Sequence, residues 1–302
     1  MTTRQDFDVM IIGGSYAGLA AALALGRALR HVLIIDAGTP CNRMTPHSHN
    51  FLTRDGATPA ELSGIAREQL VRYNTLTFYQ GTAENAVRKP EGFEVTTQGG
   101  DIFSARKLIF ATGLKDTMPD VTGFADCWGI SILHCPYCHG FEVKGEPTAV
   151  WANGEAGYGF ARLLSNWTNK LTLATGGPSG LSPSQHEKLQ GSGIQIIEDK
   201  ISAILHTGGK INQIVFESRA PLAVTVLYAK PAFEQKCVLP EKLGCQFSET
   251  GLLKTDAFQK TTVPGIWACG DNTASRSVAV AVSTGTVAGA AVNHELIEDA
   301  FS

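Results

Sequence analysis

Two cysteines in the run CPYCHG, residues 135–140, have the types and the spacing for redox chemistry. Thiols in C-x-x-C spacing can exchange two electrons by forming and breaking a disulfide, and the thiolate is the form that attacks. Pro136 suits the first position of a helix, because its missing N–H costs nothing there, so Cys135 is the predicted N-cap. The positive end of the helix dipole favours thiolate at that position. The run therefore indicates a redox-active cysteine pair.

The same run also fits two other kinds of chemistry. Cys-x-x-Cys-His is the attachment sequence of c-type haem. The side chains that could bind zinc are His134, Cys135, Cys138 and His139. A C-x-x-C in a cytosolic α/β protein favours redox work, and the run by itself leaves haem and zinc open.

Length and composition restrict the class of protein. The 302 residues suffice for one large or two ordinary domains, and 43% hydrophobic with 18% charged residues is a globular balance. A net charge of −3 without a basic patch argues against nucleic acid as a partner. The odd number of cysteines, seven, does not fit a secreted disulfide framework. An acidic start and a broken apolar stretch at 278–292 predict neither signal peptide nor membrane span. We therefore expect a cytoplasmic protein, which weakens the haem interpretation.

The N-terminal residues predict a dinucleotide-binding βαβ unit. A strand-like run at 7–12 precedes the glycine-rich turn GGSYAG at 13–18, and a helix is predicted over 19–29. A second strand, 32–35, ends at Asp36, where a carboxylate can meet a ribose hydroxyl. Ser15 replaces the middle glycine of the pattern, and its backbone N–H can still face a pyrophosphate.

Further elements follow on both sides of the cysteine pair. A helix is predicted over 61–73, and short strands over 76–79, 93–97 and 107–110. The loop after Asp36 carries His47 and His49, which could line a cofactor or substrate path or lie on the surface. Near the C-terminus a strand ends in Gly270-Asp271 before a helix over 278–295. The Asp271 side chain could accept a hydrogen bond from a ribityl hydroxyl, or it could cap the helix.

The order of these motifs resembles the low-molecular-weight thioredoxin reductase family of FAD enzymes. The glycine turn, ATG at 111–113, the C-x-x-C and GIWACGD at 265–271 carry the resemblance across nearly the whole chain. It implies an α/β fold with two Rossmann-like three-layer nucleotide-binding domains, the second inserted in the first. The FAD domain would span 1–116 and 238–302, and the NAD(P)-binding-like insert with the cysteine pair would span 117–237. The family is usually homodimeric, and the resemblance favours redox chemistry over haem or zinc binding at the run.

The resemblance also implies roles for individual residues. Cys138 should face the flavin, Cys135 should exchange with substrate, and His139 should move the proton in place of the family's aspartate, as an imidazole can near neutral pH. The residues expected to hold FAD are Gly13, Gly14, Ser15, Ala17, Gly18, Asp36, Ala111, Gly113, Gly270, Asp271 and Val278. No metal site is expected.

The predicted second nucleotide site departs from the family. A strand over 148–151 and a helix over 156–167 flank a turn whose first glycine has become Ala152, and Glu155 adds negative charge. After the next strand, 171–174, the segment 175–183 contains no Lys or Arg to grip the 2′-phosphate of NADP and no acid to favour NAD. The sequence therefore predicts a degenerate NADP site. A separate departure lies in the flavin region, where the family's Arg-Gln-Ala becomes Arg276-Ser277-Val278, so the arginine is kept and the glutamine is lost.

The predicted activity is an FAD-dependent disulfide/dithiol oxidoreductase that is not directly driven by NADPH. CPYCHG with GGSYAG resembles a branch that includes dithiol oxidases of gliotoxin and holomycin type, as well as thioredoxin reductase-like flavoproteins that do not use NADPH directly. The substrate would be a small-molecule dithiol or a thioredoxin-like protein, with oxygen as the final acceptor of an oxidase. The alternatives are an NADPH-dependent thioredoxin reductase and a flavin-binding redox sensor.

Overall fold

The computed structural model describes residues 6–273 and 275–302, and in these residues strands and helices alternate along the chain. The first part contains β1 (Asp6–Ile12), α1 (Tyr16–Arg27), β2 (Val32–Asp36), α2 (Pro59–Leu70), β3 (Leu76–Gln80), β4 (Ala83–Lys89), β5 (Gly92–Thr97), β6 (Ile102–Phe110) and β7 (Leu114–Asp116). The middle part contains α3 (Phe124–Cys127), β8 (Ile132–Leu133), α4 (Pro136–His139), β9 (Thr148–Trp151), α5 (Gly154–Leu164), β10 (Leu171–Ala174), α6 (Pro183–Gly191), β11 (Gln195–Ile197), β12 (Ile201–Thr207), β13 (Lys210–Phe216), β14 (Leu222–Ala223) and β15 (Val226–Ala229). The last part contains β16 (Phe233–Gln235), α7 (Leu239–Lys242), β17 (Ile266–Ala268) and α8 (Val278–Phe301).

The chain divides into two compact units. Unit 1 comprises the chain up to Arg43, Phe51–Lys115 and Phe233–Ser302. Unit 2 comprises Met44–Asn50 and Asp116–Ala232. The short segment 44–50 thus groups with the middle of the chain, which the sequence motifs do not indicate.

Unit 1 is built on a seven-stranded sheet with the order β3-β2-β1-β6-β5-β4, and β17 also pairs with β6. The pairs β3-β2, β2-β1, β1-β6 and β6-β17 are parallel, whereas β4 and β5 form antiparallel pairs. Alternate residues of the central strands face opposite sides, so Val9 and Ile11 pack under α1 and α8 while Met10 and Ile12 belong to a second core. The sheet therefore has a buried core on each face, as an α/β three-layer fold requires.

Two glycines let α8 lie directly against α1. A Cβ added at Gly285 would be 2.1 Å from the carbonyl oxygen of Ala17, and one at Gly289 would be 2.7 Å from that of Ala21. These residues are one turn apart on α8, so they present a side-chain-free strip to the first helix. The close approach fixes the N-terminal halves of both helices at the same edge of the sheet.

Unit 2 has a parallel five-stranded sheet with the order β11-β10-β9-β15-β8. An antiparallel three-stranded sheet, β12-β13-β14, accompanies it. The predicted strands at 148–151 and 171–174 are confirmed to the residue as β9 and β10. Strands followed by helices in a parallel sheet form the second Rossmann-like arrangement.

Several predicted helix ends differ from the structure. The first helix spans Tyr16–Arg27 and not 19–29, because Leu29 has a left-handed φ of 60° and Arg30 N–H donates to Leu25 O at 3.0 Å. That bond closes the helix in the pattern that a glycine usually supplies. The last helix runs on to Phe301. Within the described residues, no helix combines the length and apolarity needed to cross a membrane.

Candidate functional site

The carboxyl ends of three neighbouring strands bring the glycine motifs of unit 1 together. Ile12 and Ala268 both pair with Phe110, so the residues that follow β1, β6 and β17 share one edge of the sheet. A Cβ added at Gly13 would lie 2.3 Å from Ala111 O. Turns packed this closely tolerate only glycine, and they bring three separately predicted motifs to one place.

The first turn presents the uncapped N-terminus of α1. Gly13 has a φ of +110°, and its N–H donates to Ile35 O at 2.8 Å. Ser15 is the N-cap with extended backbone angles, but its side chain makes no capping hydrogen bond. The Ser15 side chain therefore does not occupy the first turn of α1, the part of a helix whose N–H groups bind a pyrophosphate.

Asp36 is held by an arginine that the sequence did not indicate. Its Oδ2 accepts from Arg67 Nη2 at 2.5 Å, and the same nitrogen donates to Gly14 O at 3.2 Å. Arg67 lies on α2, far along the chain, with no motif to mark it. It fixes the carboxylate beside the glycine turn and leaves Oδ1 as the oxygen that can face a ribose hydroxyl.

The Gly-Asp turn is also fixed by its neighbours. Gly270 has a φ of +86°, and its N–H donates to Thr284 Oγ1 on α8 at 3.0 Å. Asp271 Oδ2 lies 3.5 Å from Cys41 Sγ and 3.9 Å from Arg276 Nε. Val278 is the first residue of α8.

Asn272, the next residue, is fully buried and joins the two strand ends. Its Nδ2 donates to Phe110 O at 3.0 Å and to Thr112 Oγ1 at 3.3 Å. Its Oδ1 has no hydrogen-bond partner within the described part of the chain. The sequence did not single this residue out.

In unit 2 the cysteines of CPYCHG form a disulfide between Cys135 and Cys138, with Cα atoms 5.3 Å apart. Cys135 is the N-cap of α4 and Pro136 its first residue, as predicted. The helix has only one turn, however, so its dipole is small. The local donor is instead the N–H of Cys138, which lies 3.2 Å from Cys135 Sγ. A charge-assisted bond of this kind would stabilise a thiolate on Cys135 once the disulfide opens.

Aromatic residues lie next to the CPYCHG turn. The ring of Trp167 packs edge-on to Tyr137, with centroids 5.6 Å apart. A Cβ at Gly140 would lie 2.7 Å from Trp167 Nε1 and 2.5 Å from Pro136 O, which explains the glycine at that position. Tyr137 and Phe141 are largely exposed, at 65% and 69%. Two exposed aromatic residues therefore lie within three positions of the disulfide cysteines in the chain.

His139 lies in a small group of imidazoles. The His49 ring meets it edge-on with centroids 6.3 Å apart, and His49 Nδ1 is 3.5 Å from Glu142 Oε1. Burial lowers the pKa of His139 from its ordinary value, His49 lowers it further, and Glu142 opposes this. His139 is therefore neutral at pH 7 and can accept a proton.

The second glycine turn is covered by the segment that follows β10. Gly154, the first residue of α5, donates its N–H to Ser179 O at 2.8 Å. The Asn153 side chain donates to Thr175 O at 3.2 Å and to Pro178 O at 2.9 Å. A helix N–H that would meet a pyrophosphate is thus already used by the chain itself.

Two carboxylates stand beside this covered turn. Glu198 Oε1 accepts from the Ser179 N–H at 2.8 Å, and hydrogen bonds from Ser179 lower the pKa of Glu198. Glu155 Oε2 accepts from Gln185 Nε2 at 2.5 Å. Negative charge here opposes a nucleotide phosphate, as the sequence already suggested for Glu155.

Comparison with known proteins identifies the family of this chain. The sequence profile of the pyridine nucleotide-disulphide oxidoreductases matches residues 7–285. The chain belongs to this family. The protein is therefore an oxidoreductase of the thioredoxin reductase type, as the motifs predict, and membership implies that it binds a flavin, FAD.

Similar proteins span the whole length of this oxidoreductase. The thioredoxin reductase tcpT of Claviceps purpurea is 33% identical, over 99% of this chain and 97% of its own. The thioredoxin reductase aclD of Aspergillus oryzae is 32% identical, over 97% of both chains. An oxidoreductase from Agrobacterium tumefaciens has a crystal structure that superposes with a TM-score of 0.91 and 36% identity, covering 97% of this chain and 99% of that one. The predicted fold class, α/β with two Rossmann-like domains, is confirmed.

The sheet edge of unit 1 fits the flavin nucleotide that the family implies. The α1 N-terminus has no side-chain cap, and a Cβ at Gly113, where φ is +65°, would meet nothing within 4 Å. The Asn272 Oδ1 is a buried acceptor still lacking a donor among the described residues. A glycine-rich turn at a helix N-terminus without a side-chain cap, with Asp36 and Asp271 on the same sheet edge, suits a dinucleotide.

Proposed function

We propose that this oxidoreductase is an FAD-dependent dithiol oxidase that moves two electrons from a substrate dithiol through Cys135 and Cys138 to FAD, without direct use of NADPH. The observation that carries the NADPH independence is the covered second glycine turn. Family membership supports the use of FAD, and the C-x-x-C pair supports the exchange of two electrons with a dithiol.

The residues proposed to hold FAD are those of the unit 1 sheet edge. Gly13, Gly14, Ser15, Ala17 and Gly18 would face the pyrophosphate from the α1 turn. Asp36 Oδ1 would accept a hydrogen bond from a ribose hydroxyl, while Arg67 holds the carboxylate by its hydrogen bond to Oδ2. The remaining contacts are proposed for Ala111, Gly113, Gly270, Asp271 and Val278. Bound FAD would supply a two-electron acceptor that reoxidises the cysteine pair.

The exchange at the cysteines needs no group beyond the chain and the substrate. A substrate thiolate attacks Cys135 Sγ, the Cys135–Cys138 bond breaks, and Cys138 leaves as a thiolate. The second substrate thiolate then attacks the substrate sulfur of the mixed disulfide, and Cys135 leaves as a thiolate. The products are a substrate disulfide and the reduced cysteine pair. With dioxygen as final oxidant, the net reaction converts one dithiol and O₂ to one disulfide and H₂O₂.

His139 is proposed as the base of this exchange. Because its lowered pKa keeps it neutral at pH 7, it can take the proton that a substrate thiol must lose before attacking. As the residue next to Cys138, it can also return a proton to that sulfur when the leaving thiolate needs one.

The covered glycine turn of unit 2 supports an electron donor other than NADPH. The N–H of Gly154 and the side chain of Asn153 already bind the segment 175–179. The segment from 175 to 183 offers no basic side chain for a 2′-phosphate, and Glu198 adds a carboxylate next to it. A nucleotide would have to displace hydrogen bonds that the protein makes to itself.

An NADPH-dependent thioredoxin reductase is the second candidate, because both curated relatives above carry the name thioredoxin reductase. A flavin-binding redox sensor is the third hypothesis; it would keep partner binding after loss of Cys135. A homodimer remains a prediction from the resemblance, and a cytoplasmic location remains a prediction from the cysteine number and the terminal segments. Size-exclusion chromatography with light scattering tests the dimer.

An anaerobic titration of the flavin-loaded protein separates the first two candidates. We expect dithiothreitol to bleach the flavin absorbance near 450 nm, and near-stoichiometric NADPH to leave it unchanged over minutes (roughly 10-fold or more slower). Calorimetric titration with NADPH should show no binding in the micromolar range. Rapid bleaching by one equivalent of NADPH would contradict the proposal. A thioredoxin reductase of known NADPH dependence serves as the positive control.

A further inference from the structure

In the first half of the proposed reaction, the substrate dithiol loses two protons at the cysteine pair, before the reduction of oxygen takes up two protons in H₂O₂. Each turnover removes two thiol protons from the substrate, and His139 can hold only one. His139 is half-buried, and burial is the main cause of its lowered pKa. A half-buried base that works repeatedly needs a partner that returns it to the neutral form before the next turnover.

Three imidazoles of unit 2 form a series that leads from the cysteine pair to the surface. The rings of His139 and His49 are 6.3 Å apart between centroids, and those of His49 and His47 are 6.4 Å apart. Exposure rises along the series: the His49 side chain is 17% exposed, and His47 is exposed. At this spacing, one water molecule is enough to bridge the nitrogens of neighbouring rings.

The segment 44–50 makes this series possible, because it belongs to the same unit as the cysteine pair. Its position gives His49 a carboxylate neighbour, with Nδ1 3.5 Å from Glu142 Oε1. The Glu142 carboxylate is 39% exposed and can offset the positive charge while a proton resides on His49.

We propose that His49 and His47 are positioning residues that relay protons between His139 and the solvent during dithiol exchange. The inference rests on the proposed function. A proton that His139 accepts from a substrate thiol passes to His49, then to His47 and to water, and every imidazole returns to its starting form. No electron moves along this path.

Among the described residues, two groups, His49 and Glu142, act through their charge on the pKa of His139. The hydroxyl of Tyr228, on β15, is buried, and its pKa is raised by burial and by Glu142, so it stays protonated at neutral pH.

His49→Gln tests the relay, because glutamine keeps much of the size and polarity but cannot carry a proton. We expect flavin bleaching by dithiothreitol, measured by anaerobic stopped flow, to slow about 10- to 100-fold at pH 7. Added imidazole should restore a large part of the rate, and the slope of rate against pH should flatten. A purely structural role for His49 would not give rescue by imidazole.

His294→Gln is the matched control. His294 forms the same kind of imidazole–carboxylate pair with Glu298, at 3.2 Å, but on the exposed surface of α8 in unit 1. We expect its rate and pH profile to equal those of the unchanged protein. If His49→Gln does not fold, His47→Gln takes its place, since His47 is exposed; its expected loss is about 3- to 10-fold, again with rescue by imidazole.

The same comparison without flavin removes the cofactor from the test. In protein stripped of FAD, opening of the Cys135–Cys138 disulfide by dithiothreitol is followed by alkylation and mass spectrometry, and His49→Gln should slow it by a similar factor. Unchanged rates in both histidine variants, or a loss that imidazole does not restore, would overturn the relay. If the unchanged protein itself is not bleached by dithiols, the proposed function fails, while the flavin-free measurement still decides the relay.

Discussion

Cys138→Ser is expected to abolish dithiol-driven turnover while the protein keeps its flavin. A serine hydroxyl cannot form a disulfide, so the pair that Cys135 and Cys138 make can no longer accept two electrons. We expect oxygen consumption with dithiothreitol to fall by roughly three orders of magnitude or more. The absorbance of bound FAD per protein should not change, because the proposed flavin contacts all lie in unit 1.

The two cysteines should differ in what they trap. In Cys138→Ser, the remaining Cys135 thiol can attack oxidised glutathione, and the resulting mixed disulfide has no neighbouring thiol to resolve it. Intact mass spectrometry should then show one added glutathionyl group that dithiothreitol removes. Cys135→Ser should show much less, because Cys138 is proposed to serve the flavin and not the substrate. Equal labelling of both variants would contradict this division of roles.

Cys127→Ala is the control for loss of a thiol from the same unit. Cys127 is fully buried, and burial raises the pKa of its thiol, so it is inert at neutral pH. Its replacement should leave turnover within about twofold and cost roughly 1 kcal/mol of stability. A large loss of turnover in this variant would show that the assay reports folding of unit 2 and not disulfide exchange.

Features set by short stretches of sequence were predictable. The strands β9 and β10 are apolar, short and bounded by turn residues, and their ends are predicted to the residue. The N-cap position of Cys135 follows from Pro136 alone. By contrast, β4 alternates weakly and is mostly exposed, so it gave no periodic signal and was missed.

Contacts between distant parts of the chain were not predictable. Nothing near Arg67 shows that it meets Asp36, and nothing near His49 shows that it meets His139. The lack of basic residues near the second glycine turn is visible in the sequence. The hydrogen bonds from Asn153 to the segment that covers this turn are not. The sequence shows that the segment 175–183 lacks basic residues, but only the structure shows that this segment itself covers the second glycine turn.

Gly18→Ala is expected to cost the protein its flavin. A Cβ at Gly18 would lie 1.9 Å from Gly13 O and 3.0 Å from Gly13 C, and both are backbone atoms of the first turn. Neither can rotate away as a side chain would, so the start of α1 must move off the strand end. That movement displaces the N–H groups proposed to bind the FAD pyrophosphate. We expect FAD affinity to fall about 100-fold or more, measured by absorbance after dialysis, with a loss of about 1–3 kcal/mol in urea unfolding of the flavin-free protein.

Gly64→Ala makes the comparison decisive, because it places the same methyl group in a helix of the same unit. Gly64 lies inside α2, and an added Cβ there would meet nothing within 4 Å. Alanine is the better helix former by about 1 kcal/mol, so this variant should bind FAD normally and unfold at slightly higher urea. Comparison of the two variants thus separates the effect of adding a methyl group from the effect of the position at which it is added. If Gly18→Ala retained FAD as well as Gly64→Ala does, the α1 turn could not be the pyrophosphate site.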